Sequence, residues 1–87
     1  MMTEQALEAL ARLVARLEEA RPYVTREDIA AAWKARPGWP ALGDLLNQGV
    51  EGGMLLRDTR TRFDATQGTF HETQLYRVNR RRRPAIY

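Results

Sequence analysis

The sequence predicts an α+β domain in which three helices are followed by a two-stranded antiparallel hairpin. Up to about residue 51 the apolar residues recur at helical spacing. After Gly53 the period shortens to the alternation of strands. The breaker residues Pro22, Pro37-Gly38, Gly52-Gly53 and Gly68 fall between these segments and not inside them.

The first helix runs from Glu4 to Ala20. Leu7, Leu10, Leu13, Val14 and Leu17 follow the i, i+3, i+6, i+7, i+10 pattern of one helical face. Thr3 is placed to cap it, Glu8 and Arg12 can pair one turn apart, and Pro22 ends it. Tyr23-Val24 are β-formers in a two-residue gap and suit a short strand stub. Thr25-Arg26-Glu27-Asp28 has the Thr-x-x-acid form of a capping box and opens the second helix. Tyr23 or Val24 can staple onto Ile29, and Ile29, Ala32 and Trp33 supply the buried face. Pro37-Gly38 ends that helix near Arg36. The third helix spans Pro40 to Glu51, with proline in its first turn, where the missing N–H costs nothing. Leu42, Leu45, Leu46 and Val50 form its apolar face, and Gly52-Gly53 ends it. A short turn between the second and third helices predicts a helix-turn-helix. Met54-Leu55-Leu56 through Asp64, the turn Ala65-Thr66-Gln67-Gly68, and Thr69 to Asn79 then predict the hairpin.

With 87 residues the chain is long enough for one domain. Residues 1–79 are expected to form it, leaving 80–87 as an arginine-rich tail. The chain has no cysteine, no serine and a single histidine, His71. Disulfides, thiolate metal sites and Ser–His or Cys–His nucleophilic couples therefore cannot be built. No enzyme activity, metal or cofactor is expected. No apolar run approaches the ~20 residues that span a bilayer. The N-terminus lacks the basic-then-apolar form of a signal peptide, so the expected location is the cytoplasm, without membrane contact and without a small-molecule substrate.

The net charge of +3 hides an asymmetry. Residues 1–53 carry six basic groups against eight acids, a net of −2, whereas residues 54–87 carry eight arginines against three acids, a net of +5. An anionic partner for the C-terminal third follows from this polarity. A merely solvating tail is the bland alternative.

Asn47-Gln48-Gly49-Val50-Glu51-Gly52-Gly53-Met54-Leu55-Leu56-Arg57 resembles the junction between the third helix and the wing of winged helix-turn-helix proteins. Leu75-Tyr76-Arg77-Val78-Asn79 resembles a closing wing strand. This resemblance covers roughly residues 5 to 79 and implies a winged helix-turn-helix, three helices followed by a two-stranded β-hairpin wing. Tyr23-Val24-Thr25 to Leu46, together with the Leu75–Asn79 strand, is similar to LOTUS-type winged helices, which accompany NYN nuclease domains and are linked to RNA. No NYN carboxylates map onto this chain, so any nuclease activity would belong to another chain or domain.

Winged helices usually set the third helix in the major groove. Here that helix has no arginine or lysine, and its charges are Asp44 and Glu51. Its Asn47 and Gln48 are candidates for adenine edges, with a plain solvated role as the alternative. The cations lie further on. Arg57, Arg60 and Arg62 fall on the first hairpin strand, Arg77 on the second, and Arg80, Arg81, Arg82 and Arg83 beyond. By strand alternation Arg60 and Arg62 share a face and Arg57 takes the other. The expected function is nucleic-acid binding, DNA ahead of RNA, by contact of this wing and tail with the phosphate backbone. The competing expectation is a protein-interaction module, including a homodimer through the first helix. Trp33 is read as core, and Trp39 as either a cap on the core or a contact residue. Phe63 and Phe70 are expected to pack on each other across the hairpin, with base stacking as the alternative.

Overall fold

A computed structural model of the chain describes residues 2–80. The elements are α1 (Met2–Ala20), β1 (Val24–Thr25), α2 (Arg26–Ala32), α3 (Leu42–Glu51), β2 (Leu55–Asp64) and β3 (Thr69–Val78). The fold is α+β, with three helices and one antiparallel sheet in the order β1-β3-β2. None of the described helices is long and apolar enough to cross a membrane.

α1 is the element on which the others assemble, packing against α2, α3, β1 and β3. Its fully buried stripe is Ala6, Leu10 and Val14, while Leu7, Leu13 and Leu17 are half-buried beside it. Of the expected face only Leu10 and Val14 are fully buried, and Ala6, which was not expected there, joins them. Thr3 lies inside the first turn and is not the cap. The core is completed by Val24, Ile29, Leu45, Leu46, Leu55 and Tyr76, so every element contributes to it.

The sheet has three strands where two were expected. Val24 pairs with Tyr76 and Thr25 with Leu75, because the backbone groups of the stub find partners on the free edge of β3. Val24, not Tyr23, joins Ile29 in the core, and Tyr23 turns outward. The capping box forms as the sequence requires. The Thr25 hydroxyl accepts from the Asp28 N–H at 3.1 Å, and the Asp28 carboxylate accepts from the Thr25 N–H at 3.1 Å. Arg21 closes the group by pairing with Asp28.

α2 is shorter than expected. It stops at Ala32, which is exposed, and Trp33 takes extended dihedrals (φ −72°, ψ 129°). Leaving the helix there lets the Trp33 ring meet Trp39, with ring centroids 5.6 Å apart. Pro37 and Gly38 (φ 86°) turn the chain back, closed by the Trp39 N–H donating to Arg36 at 3.1 Å. Arg36 lies over Trp39, 5.6 Å from its centroid. α3 begins at Leu42 with Ala41 as its cap, so Pro40 precedes the helix. Residues 33–41 thus form a tryptophan-pinned connection in place of the short turn expected.

The end of α3 is a Schellman closure. Met54 N–H donates to Gly49 at 2.9 Å, and Gly53 N–H to Val50 at 3.1 Å. Gly53 has φ 77°, a conformation that a side chain disfavours. Gly49 is buried where α3 meets β2, and a Cβ there would stand 2.9 Å from Leu55 Cδ1. The hairpin pairs without slippage from Leu55↔Val78 to Asp64↔Thr69. Its turn is held by the Asp64 carboxylate, which accepts from the Thr66 N–H at 2.9 Å.

The base of the hairpin is fastened twice. Asn79 N–H donates to the Met54 carbonyl at 3.0 Å, and its side-chain amide donates to the Gly53 carbonyl at 2.9 Å. From α1, Glu18 Oε1 accepts from the Val78 N–H at 2.7 Å and Oε2 accepts from Arg80. Replacing Glu18 with Ala strands the half-buried Val78 N–H, and urea unfolding should show a loss of about 2 kcal/mol. Glu18→Gln, which can still accept, should lose less. Asp28 gives a pH signature. Its carboxyl is held below the ordinary 3.8, chiefly by the Thr25 N–H, with Arg21 adding to the effect. A folded pKa below the unfolded one contributes stability above about pH 4, and that contribution is lost as pH falls through the folded value. Urea midpoints measured through this acid range should therefore fall less steeply for Asp28→Asn than for the parent.

Candidate functional site

The register of the hairpin divides its side chains into two faces. One face carries Leu55 and Tyr76 into the core, then Arg57, Thr59, Thr61 and Phe63 outward along β2. The opposite face carries Leu56, Asp58, Arg60, Arg62 and Asp64 from β2, and Arg77, Leu75, Thr73, His71 and Thr69 from β3. Only Leu55 of β2 and Tyr76 of β3 are fully buried. Strands of this length reach about 33 Å, so most of the hairpin stands clear of the helices with both faces in water.

Arg60 and Arg62 share the open face, as expected from alternation. The register adds Arg77, which pairs opposite Leu56 on that same face. Neither Arg62 nor Arg77 has a carboxylate partner among the described residues. Arg60 stacks its guanidinium over Tyr23, 4.1 Å from the ring centroid. Of the acids on this face, Asp64 is occupied with the turn and lies 3.6 Å from His71. Asp58 stands between Leu56 and Arg60 at the root of the hairpin.

The other expected residues are distributed differently. Arg57, on the helix-facing side, donates to the Asn47 side-chain oxygen at 2.8 Å, so these two candidates occupy each other. Gln48 is exposed on α3. Asp44 and Glu51 are exposed on the same helix, which leaves it without a free cation. Arg80 is paired with Glu18 and belongs to the fastening of the fold. Arg81, Arg82 and Arg83 lie outside the described residues.

Tyr23 is the residue that the sequence reading did not place in the site. It is 51% exposed beside the open face. The available signal was strand alternation: once Val24 points inward, Tyr23 must point outward. At the hairpin tip Phe63 and Phe70 are directly opposite, with centroids 5.0 Å apart, yet remain 53% and 69% exposed. They are a cross-strand pair set in water.

The chemistry available on the open face is ionic and stacking in character. Guanidinium groups fork onto phosphates, and tyrosine offers a π-face. Among the described residues no three His, Asp or Glu side chains converge as metal ligands would. Comparison with known protein families, characterised proteins and solved structures finds no match for this chain.

The tip pair has a measurable role. A double-mutant cycle on Phe63→Ala and Phe70→Ala should return a coupling of about 1 kcal/mol, read from thermal or urea unfolding.

Proposed function

We propose that this chain is a winged-helix module that binds nucleic acid through the open face of its hairpin. The order of helix, strand stub, helix, helix and hairpin supports the winged-helix assignment. The single observation that carries the functional reading is the alignment of Arg60, Arg62 and Arg77 on one water-facing surface, while α3 presents Asp44 and Glu51. An acidic α3 would repel the phosphates that flank a major groove. Asn47, the residue best suited to read a base from that helix, is held by Arg57.

Binding of this kind rests on charge and follows the backbone. It should be sequence-tolerant and strongly salt-dependent, because each neutralised phosphate releases counterions. DNA is the first ligand to test. The protein-interaction reading draws on the same exposed acids of α3, which suit a basic partner; it predicts no nucleic-acid binding at low salt.

Fluorescence anisotropy with a labelled DNA, titrated with salt, tests the proposal. Combined Arg60→Ala, Arg62→Ala and Arg77→Ala should weaken binding across all sequences and flatten the log–log salt dependence by roughly 2–3 units. Asn47→Ala with Gln48→Ala should leave both nearly unchanged. An unaltered slope in the arginine variant, or a parent protein that does not bind at low salt, would overturn the reading.

A further inference from the structure

The open face is not uniformly basic. Where β1 meets the root of the hairpin it sinks into a groove of about 420 Å³, lined by Pro22, Tyr23, Leu56, Asp58, Leu75 and Arg77 among others. Leu56 is 37% exposed and Leu75 is half-buried, which gives the groove an apolar floor. A second hollow, lined also by the carboxylate-paired Arg21 and Arg80 and by Glu18, shares Pro22, Leu56 and Arg77 with the first, so the two adjoin as a trough. Arg60, stacked on Tyr23, stands on the hairpin side, and Arg77 borders both hollows.

We propose that this trough takes an unpaired nucleotide of a single strand, its base against Tyr23 and the Leu56–Leu75 floor and its flanking phosphates on Arg60 and Arg77. The inference rests on the nucleic-acid reading above and specifies which form of nucleic acid the face prefers. Three features point the same way. An apolar floor gains from contact with a flat base, whereas a duplex keeps its bases stacked inside and presents phosphates and sugars. Tyr23 is covered by Arg60 on one side only and stays half-exposed, so the rest of its ring is a π-surface on which any base can lie. Asp58 repels a phosphate but accepts a hydrogen bond from a base amino group. A carboxylate is therefore misplaced in a site for backbone alone and well placed where a base edge arrives. The outer arginine, Arg62, continues the cationic track along the hairpin for the strand beyond.

Anisotropy with a labelled single strand of about 12 nucleotides, within the ~4–16 that small single-strand binders cover, and with the matching duplex at the same salt tests this. The single strand should bind at least about fivefold more tightly. Tyr23→Ala should remove about fivefold or more of the single-strand affinity and leave duplex binding unchanged, while Tyr23→Phe keeps the parent value. Because Tyr23 is half-exposed, melting temperature serves as the check on folding; Leu56→Gln, at a second exposed position of the floor, should give the same selective loss. Equal binding of both forms, with Tyr23→Ala affecting neither, would overturn the inference and leave the phosphate reading standing. Failure of both forms to bind at low salt would overturn the two together, as would retention of an acidic peptide alone.

Discussion

The two-residue pairing of Val24 and Thr25 with Tyr76 and Leu75 is the constraint from which the rest of the molecule follows. A two-stranded hairpin alone in water is marginal, and beyond its root this one has almost no core contact of its own. The stub couples it to the helices: Val24 and Tyr76 are paired in the ladder and buried together beneath α1. Glu18 then binds the Val78 N–H from the helix side, and Asn79 closes the far strand onto Met54 and Gly53. The hairpin is thereby anchored at one end and left extended at the other.

The same pairing sets the composition of the open face. Side chains alternate in a strand, so burying Val24 sends Tyr23 outward. In the register observed, Tyr23 emerges beside Arg77 and close enough to β2 for Arg60 to cover its ring. A one-residue slip of β1 would bury tyrosine and expose valine, removing the aromatic ring that Tyr23 supplies at the root of this face. Structural pairing and surface chemistry are thus consequences of a single register.

Charge is divided between the two halves of the fold. Half of the six acids of α1 and α2 are engaged in the architecture: Glu18 holds Val78 and Arg80, Asp28 caps α2 and holds Arg21, and Glu8 pairs with Arg12. The arginines of the hairpin's open face have no such duties, apart from the stacking of Arg60 on Tyr23. Charges spent on the fold gain little from a ligand, since a bound phosphate must first displace their partners. On the open face Arg62 and Arg77 have no carboxylate partner among the described residues, although Asp58 and Asp64 stand on the same face. This difference in occupation, more than the net charge, distinguishes the candidate surface from the rest of the protein.

Local chemistry determined much of the molecule. The apolar stripe of α1, the Thr25–Asp28 capping box, the Gly52-Gly53 closure, the turn at residues 65–68 and the Phe63–Phe70 pair are all set by neighbours in sequence or by strand period, and they were legible for that reason. Tertiary structure decided the remainder. Trp33 leaves α2 four residues before Pro37 and packs its ring on Trp39, six residues on; helix propensity alone would continue through Lys34 and Ala35. The third strand exists because β3 had a free edge within reach of the stub. Arg77 joins Arg60 and Arg62, and Arg57 is tied to Asn47, through registers and contacts that no local pattern specifies. Periodicity says that a face exists, but which residues of distant strands share it depends on how the backbone groups of those strands find their partners.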